Sequence, residues 1–230
     1  MKRTWTAGLI VLATALGVAC SDGSNLDISD TTRARVFHAA PSVGTLRITV
    51  DGNQFDDRPY GTGSDYSNIG DGDQQIRAVT VVGRQNVLQT SQSFTAGVDY
   101  TVAISGSEDN LRPIVITDDN SRPTVGQARV RALNAAPDSP TMDVYVTAPN
   151  VSILDVQPTL SGLSAGNASA SNQLAAGTYQ VRVTQSGNKE VLVDAGQITL
   201  NDGDITTLVV IAAPGGGTPY SVTFLTTGAR

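Results

Sequence analysis

The sequence is poor in the side chains that most catalytic and metal centres use. One cysteine (Cys20), one histidine (His38) and one tryptophan (Trp5) occur in 230 residues. These counts exclude a zinc site built from several His or Cys ligands. They also leave no disulfide to staple a fold, so each domain has to hold together by its apolar core alone. A Ser-His-Asp triad would have to use His38, and no Gly-x-Ser-x-Gly elbow supplies its nucleophile. Gly215-Gly216-Gly217 lacks the Lys-Ser/Thr that a phosphate loop requires. Long apolar runs are missing as well: a bilayer-spanning helix needs about 20 apolar residues, and the longest run falls short of that.

That run lies at the start. Lys2 and Arg3 precede apolar and small residues from Ala7 to Ala19, followed by Cys20. Positive charge, a short apolar segment and small residues before a cleavage point make an export signal. Gly17-Val18-Ala19-Cys20 resembles the bacterial lipobox, with Leu16 one position further back than the commonest form. The resemblance implies that residues 1–19 are removed and that Cys20 carries acyl chains. Residues 20–31, rich in Ser, Gly and Asp, then serve as a flexible tether. Acylation contributes about 0.8 kcal/mol per buried methylene, so two or three chains anchor stably. Ser21 after the cysteine implies outer-membrane sorting, because Asp22 stands one place too late for inner-membrane retention. Trp5 would leave with the signal.

Without residues 1–19 the chain keeps 13 Lys plus Arg against 21 Asp plus Glu, a net charge of −8. Nucleic acid needs a cationic surface, and this balance argues against it as a partner. The same acidity disfavours peripheral docking on anionic lipid.

The rest of the chain has a period of two. Val98, Tyr100, Val102 and Ile104 share one face, with Asp99, Thr101, Ala103 and Ser105 on the other. Tyr179, Val181 and Val183 alternate with Gln180, Arg182 and Thr184. This alternation predicts half-buried strands. Turn residues such as Asp51-Gly52-Asn53, Gly187-Asn188 and Asp202-Gly203-Asp204 fall between them. No stretch shows a convincing helical stripe. Leu160 to Ala176 is too rich in Gly, Ser and Asn.

The chain also repeats itself. Residues 33–50 align without gaps on residues 129–146 at an offset of 129 − 33 = 96, with seven of 18 positions identical. Gly97 to Ile104 matches Gly203 to Val210 at an offset of 203 − 97 = 106. The change in offset implies about ten extra residues in the second copy, near Asn150 to Ala170. The expected fold is all-β, with two tandem antiparallel β-sandwich domains of immunoglobulin-like or transthyretin-like type. Their bounds are 32–120 and 128–230, joined by a linker at 121–127; Asp118 to Thr124 has linker composition.

The paired carboxylates Asp71/Asp73, Asp118/Asp119 and Asp202/Asp204 are the remaining chemistry. Asp71, Asp73, Asp202 and Asp204 are weak calcium candidates, since hard cations take such oxygens. The EF-hand spacing is absent, and Asp-Gly-Asp also makes ordinary hairpin turns. No cofactor is expected.

Arg129-Val-Arg-Ala-Leu-Asn-Ala-Ala-Pro137, continuing Asp-Ser-Pro-Thr-Met-Asp-Val-Tyr-Val146, resembles the opening of the bacterial domain-of-unknown-function 4397 family. Ala175-Ala-Gly-Thr-Tyr-Gln-Val-Arg-Val183 resembles its next hallmark strand. The first copy keeps His38, Ala39 and Pro41 but lacks the Asp-x-Pro and Asp-Val-Tyr elements. The resemblance implies secreted or anchored tandem β-domains and no established activity. Read physically, the motif is architectural: the Ala-Ala-Pro step ends a strand, Asp138 caps the turn, and Asp143 and Tyr145 sit opposite the core. The expectation is a non-catalytic cell-envelope lipoprotein, outer-membrane and lipid-anchored, acting as a structural or binding module toward an envelope protein or polysaccharide. A carbohydrate-binding or adhesin-type module is the alternative, and a hydrolase using Asp pairs the third reading.

Overall fold

The computed structural model describes residues 31–229. The export signal, Cys20 and the tether up to Asp30 lie outside the described residues. Sixteen strands and no helix make up the described chain. The first nine are β1 (Arg33–Ala39), β2 (Leu46–Val50), β3 (Asn53–Gln54), β4 (Ser67–Asn68), β5 (Gly72–Thr80), β6 (Asn86–Phe94), β7 (Asp99–Ser107), β8 (Asn110–Asp118) and β9 (Gln127–Asn134). Then follow β10 (Met142–Thr147), β11 (Leu160–Leu163), β12 (Asn172–Ala175), β13 (Gly177–Gln185), β14 (Val191–Leu200), β15 (Asp204–Ile211) and β16 (Ser221–Gly228).

They form four sheets of four strands, ordered β4-β1-β7-β8, β3-β2-β5-β6, β12-β9-β15-β16 and β11-β10-β13-β14. The first two face each other over a core that includes Val36, Leu46, Ile48, Ile76, Val102 and Ile104. The last two enclose Ala132, Met142, Val144, Val181, Val183 and Leu208. The fold is therefore all-β and sandwich-like in both halves. Alternation explains the partition: Val98, Tyr100, Val102 and Ile104 do point to one core, as their spacing predicts.

Strand pairing is antiparallel except at two places. β1 runs parallel to β7 with Arg35 opposite Thr101, and β9 runs parallel to β15 with Arg131 opposite Thr207. These registers reproduce the two sequence offsets, since 131 − 35 = 96 and 207 − 101 = 106.

The sheets holding β1 and β9 meet back to back. Phe37 and Ala39 of β1, Ala103 of β7 and Ile114 of β8 pack with Leu133 of β9, Ala135, and Val209 and Ile211 of β15. In both halves the same face is used: Phe37 corresponds to Leu133, Ala39 to Ala135, and Ala103 to Val209. Like surface meets like surface, as in an isologous dimer. This seam explains why β7 is not half-buried: Asp99 to Gly106 are buried without a break, because the second sandwich covers the face that alternation assigns to solvent. Close approach is required at Gly63, where a Cβ would lie 2.7 Å from Leu225 Cδ2 and 3.2 Å from Phe37 Cδ2.

Candidate functional site

The seam gathers most of the buried charge in the molecule, and its chemistry centres on Asp118. This residue has the composition of a linker position, yet it ends β8 with a side chain only 2% exposed. Arg131 Nη2 and the Tyr66 hydroxyl both donate to it in short bonds. Thr101 Oγ1 donates to it over 2.6 Å, and Arg35 Nε lies 3.8 Å away. Arg35 also donates from Nε to Thr101 Oγ1 (2.8 Å) and from Nη2 to Thr207 Oγ1 (3.0 Å), so one guanidinium ties the two halves together. Arg131 mirrors it, donating from Nε to Thr207 Oγ1 (3.0 Å). Two equivalent arginines thus share one carboxylate. A buried ion pair holds only when its remaining protons and lone pairs are satisfied, and here threonine hydroxyls and the Tyr66 phenol do that. Burial pulls the Arg35 guanidinium below its usual pKa range, with nearby Arg131 adding to the effect. Burial and the Asp118 charge push the Tyr66 phenol upward, so it stays protonated and donates.

Beside this network is Arg33, which binds Asp99 in fork fashion through Nε and Nη2, the former at 2.8 Å. Asn120 Nδ2 donates to the same carboxylate over 2.7 Å. The guanidinium carbons of Arg33 and Arg35 lie 5.1 and 5.0 Å from the Tyr66 ring centre, within cation–π range. A groove of about 310 Å³ opens here, walled by Arg33, Arg35, Ser64, Asp65 and Tyr66 of the first sandwich and Leu225 to Thr227 of the second. Sites at domain junctions recur because two bodies make a cleft that neither makes alone.

His38 is the penultimate residue of β1, next to the seam. Its Nδ1 accepts from Ala40 N (3.3 Å), while Nε2 faces the carbonyls of Gly44 (2.9 Å) and Val43 (3.2 Å). Nε2 therefore carries the proton, and burial lowers the imidazole pKa below its usual value. Tyr60 packs edge-on against the ring at 5.7 Å and donates across the seam to Ala212 O (2.7 Å).

The Asp-Val-Tyr element is used internally. Asp143 accepts from Gly162 N (2.9 Å), Ser186 Oγ (3.1 Å) and Gly187 N (3.1 Å), pinning β11 and the β13–β14 turn to β10. Tyr145 does point away from the core, but it is 1% exposed. The segment 148–159 straps that face: Lys189 Nζ donates to Tyr145 Oη (3.1 Å) and Val156 O (2.5 Å), and Arg182 Nη2 to Val151 O (2.6 Å). Capping after Pro137 falls to Ser139 rather than Asp138. Ser139 Oγ donates to Ala136 O (3.0 Å), while Asp138 is exposed at a φ of 56°.

Of the paired carboxylates, Asp118 belongs to the seam, whereas the four calcium candidates do not line the groove. Asp202 accepts from Gly126 N (2.7 Å), and Asp204 accepts from Asn201 N (2.8 Å) at the head of β15. Asp71 and Asp73 stand exposed at the start of β5. Among the described residues no three His, Cys, Asp or Glu side chains converge on a metal-sized space. Sequence reasoning missed Asp118, Arg35, Arg131 and Tyr66 as a group. One signal was available: Leu208-Val209-Val210-Ile211-Ala212 is apolar without alternation, which marks a strand covered on both faces.

Fold and seam together define a class: an all-β protein of two sandwiches joined back to back, with a polar cleft at the junction. Residues 32–145 match the family described as Domain of unknown function (DUF4397), from the start of β1 to Tyr145. No curated protein matches the chain. Among solved structures, a family 26 carbohydrate-binding module from Eubacterium rectale in complex with maltoheptaose is 8% identical, covering 86% of this chain and 97% of that one at a TM-score of 0.28. Family 41 modules from streptococcal virulence factors that recognise α-glucan are 13% identical (84% and 96% covered, TM-score 0.29). A provisionally assigned cell adhesion protein of Bacteroides ovatus is 11% identical (87% and 96% covered, TM-score 0.27).

Proposed function

We propose that this protein is a non-catalytic, lipid-anchored module of the bacterial envelope that binds a polysaccharide through the groove at its seam. The observation that carries this reading is the groove itself. It is walled by both sandwiches and lined by cation, phenol, hydroxyl and one leucine face, the mixture that grips a ring with polar edges and apolar faces. The titratable groups around it are already committed to one another: Asp118, Asp99 and Tyr66 each hold or receive a structural bond. A site so arranged grips without reacting. His38 is likewise engaged by backbone on both ring nitrogens. Two copies of one domain, locked by equivalent faces, give the groove a fixed width.

Anchoring at Cys20 would place this body at the outer membrane. Cys20→Ser should move the protein from the membrane fraction to the soluble one; retention in the membrane would overturn the anchor. A glycan array with the full mature chain in detergent micelles tests the binding reading. Silence across polysaccharides of the cell's own envelope would refute it.

A further inference from the structure

We infer that the seam groove takes a carboxylate-bearing sugar, a uronate residue of an acidic polysaccharide, with Arg33 and Arg35 receiving the carboxylate. This rests on the reading of the protein as a polysaccharide-binding module and names the ligand class of that same groove.

The first support is unspent donor capacity. The bonds of Arg33 to Asp99, and of Arg35 to Thr101 and Thr207, engage Nε and Nη2 in each case. Among the described residues no acceptor engages Nη1 of either. Both guanidiniums line the groove and stack near one phenol ring, so their positions are set before any ligand arrives. A guanidinium held in this way loses little side-chain entropy on binding, and carboxylate is the acceptor its geometry suits.

Charge is the second. Arg33, Arg35 and Arg131 bring three positive charges to the seam, and the buried carboxylates facing them, Asp99 and Asp118, bring two. Asp65, which lines the same groove, levels the opposite charges, so an acidic ligand is gripped by directed donors and not by net charge. Asp65 stands exposed at the rim. It repels polymers of high charge density, such as sulfated chains or nucleic acid, and can accept a sugar hydroxyl. That combination favours one carboxylate per sugar unit over a polyanion.

Shape is the third. About 310 Å³ is near the lower end of the small-ligand range. Leu225 offers an apolar wall to the carbon face of a ring, and Thr226 and Thr227 line the opposite sandwich's edge with hydroxyls. The larger groove of about 400 Å³, between Arg112–Ile116 of β8 and residues 165–168, carries a single exposed guanidinium, Arg112, and lacks the paired arginines and the phenol.

The test is calorimetric titration of the full mature chain in micelles with oligogalacturonate and with its carboxyl-reduced, neutral counterpart. Two variants accompany it. Arg33→Gln keeps donors toward Asp99 but removes the charge. Thr227→Glu adds an anion on the groove wall, at a side chain whose hydroxyl reaches only the neighbouring Gly228 O (3.4 Å). The expected result is binding of the acidic oligomer at least about tenfold tighter than the neutral one, as a charge-assisted bond gives. Both variants should lose that preference, with melting temperature unchanged in Thr227→Glu. Equal binding of both oligomers, or acidic binding that both variants retain, overturns the uronate site while leaving the polysaccharide reading standing. Silence toward every sugar on the array as well as both oligomers overturns the two together.

Discussion

Near the end of its leading strand, at position 38, the first sandwich places an imidazole; at the matching position 134 the second uses an amide. The hydrogen bonds are nearly superposable in kind. His38 Nδ1 accepts from Ala40 N, and Asn134 Oδ1 accepts from Ala136 N (3.2 Å), each two residues on. His38 Nε2 donates forward to Gly44 O, and Asn134 Nδ2 forward to Ser139 Oγ (2.8 Å). The outer sheets differ far more. In the second sandwich a strap at 148–159 buries Tyr145, whereas in the first the face carrying Arg47 stays open, paired only with exposed Asp57. The interior solution is therefore shared, and the outward face varies. A strand end buried at a seam must satisfy its polar groups; an outer face can meet water instead.

The comparison breaks most severely at Asp118, the one carboxylate on which both halves converge. Asp118→Ala strands Arg35 and Arg131 together at the seam, and removing one partner of a buried ion pair costs about 3–5 kcal/mol. At about 2–4 °C per kcal/mol for a body of this size, thermal denaturation should fall by roughly 10 °C. A drop of a degree or two would show that the arginines find water instead.

Next come the equivalent seam residues Phe37 and Leu133. Truncation of each to alanine should cost about 2–5 kcal/mol. The double variant should cost less than the sum, because the two share one contact cluster. Strict additivity in chemical denaturation would mean that the halves do not rely on one another.

Tyr145→Phe tests the strap. It removes the hydroxyl that receives Lys189, leaving packing unchanged, so about 1 kcal/mol should be lost. Proteolysis within 148–159 should also quicken, and unchanged cleavage would argue against the strap's dependence on that bond.

The smallest effect is the most diagnostic of the imidazole–amide swap. Burial lowers the His38 pKa in the folded state, so the unfolded chain binds the extra proton first. Its contribution to stability is complete above the unfolded value near 6.5 and is lost as pH falls below it. His38→Asn should flatten that part of the curve. Stability profiles of the two proteins that run parallel between pH 7.5 and 5 would refute the assignment.

Much of this was legible in the residues. Alternation at Val98 to Ile104 gave a strand and its core face; the 96 and 106 offsets reappear as strand registers in both halves. The Ala-Ala-Pro step ends a strand in each. The seam was harder to read. Thr101, Ala103 and Ser105 are small or polar, and such residues suit water as well as a close-packed contact. Asp118 sits in a run of Asp, Asn, Ser and Pro that composition assigns to a linker. Tyr66 lies far in sequence from Arg35 and Arg131, so no local pattern joins them.

By itself the chain dictates strands and turns, because each depends on neighbours a few residues apart and on a period of two. Which outward faces would be covered was decided only in three dimensions. Burial there depends on a second sheet, held nearly a hundred residues away along the chain, arriving with matching shape and charge.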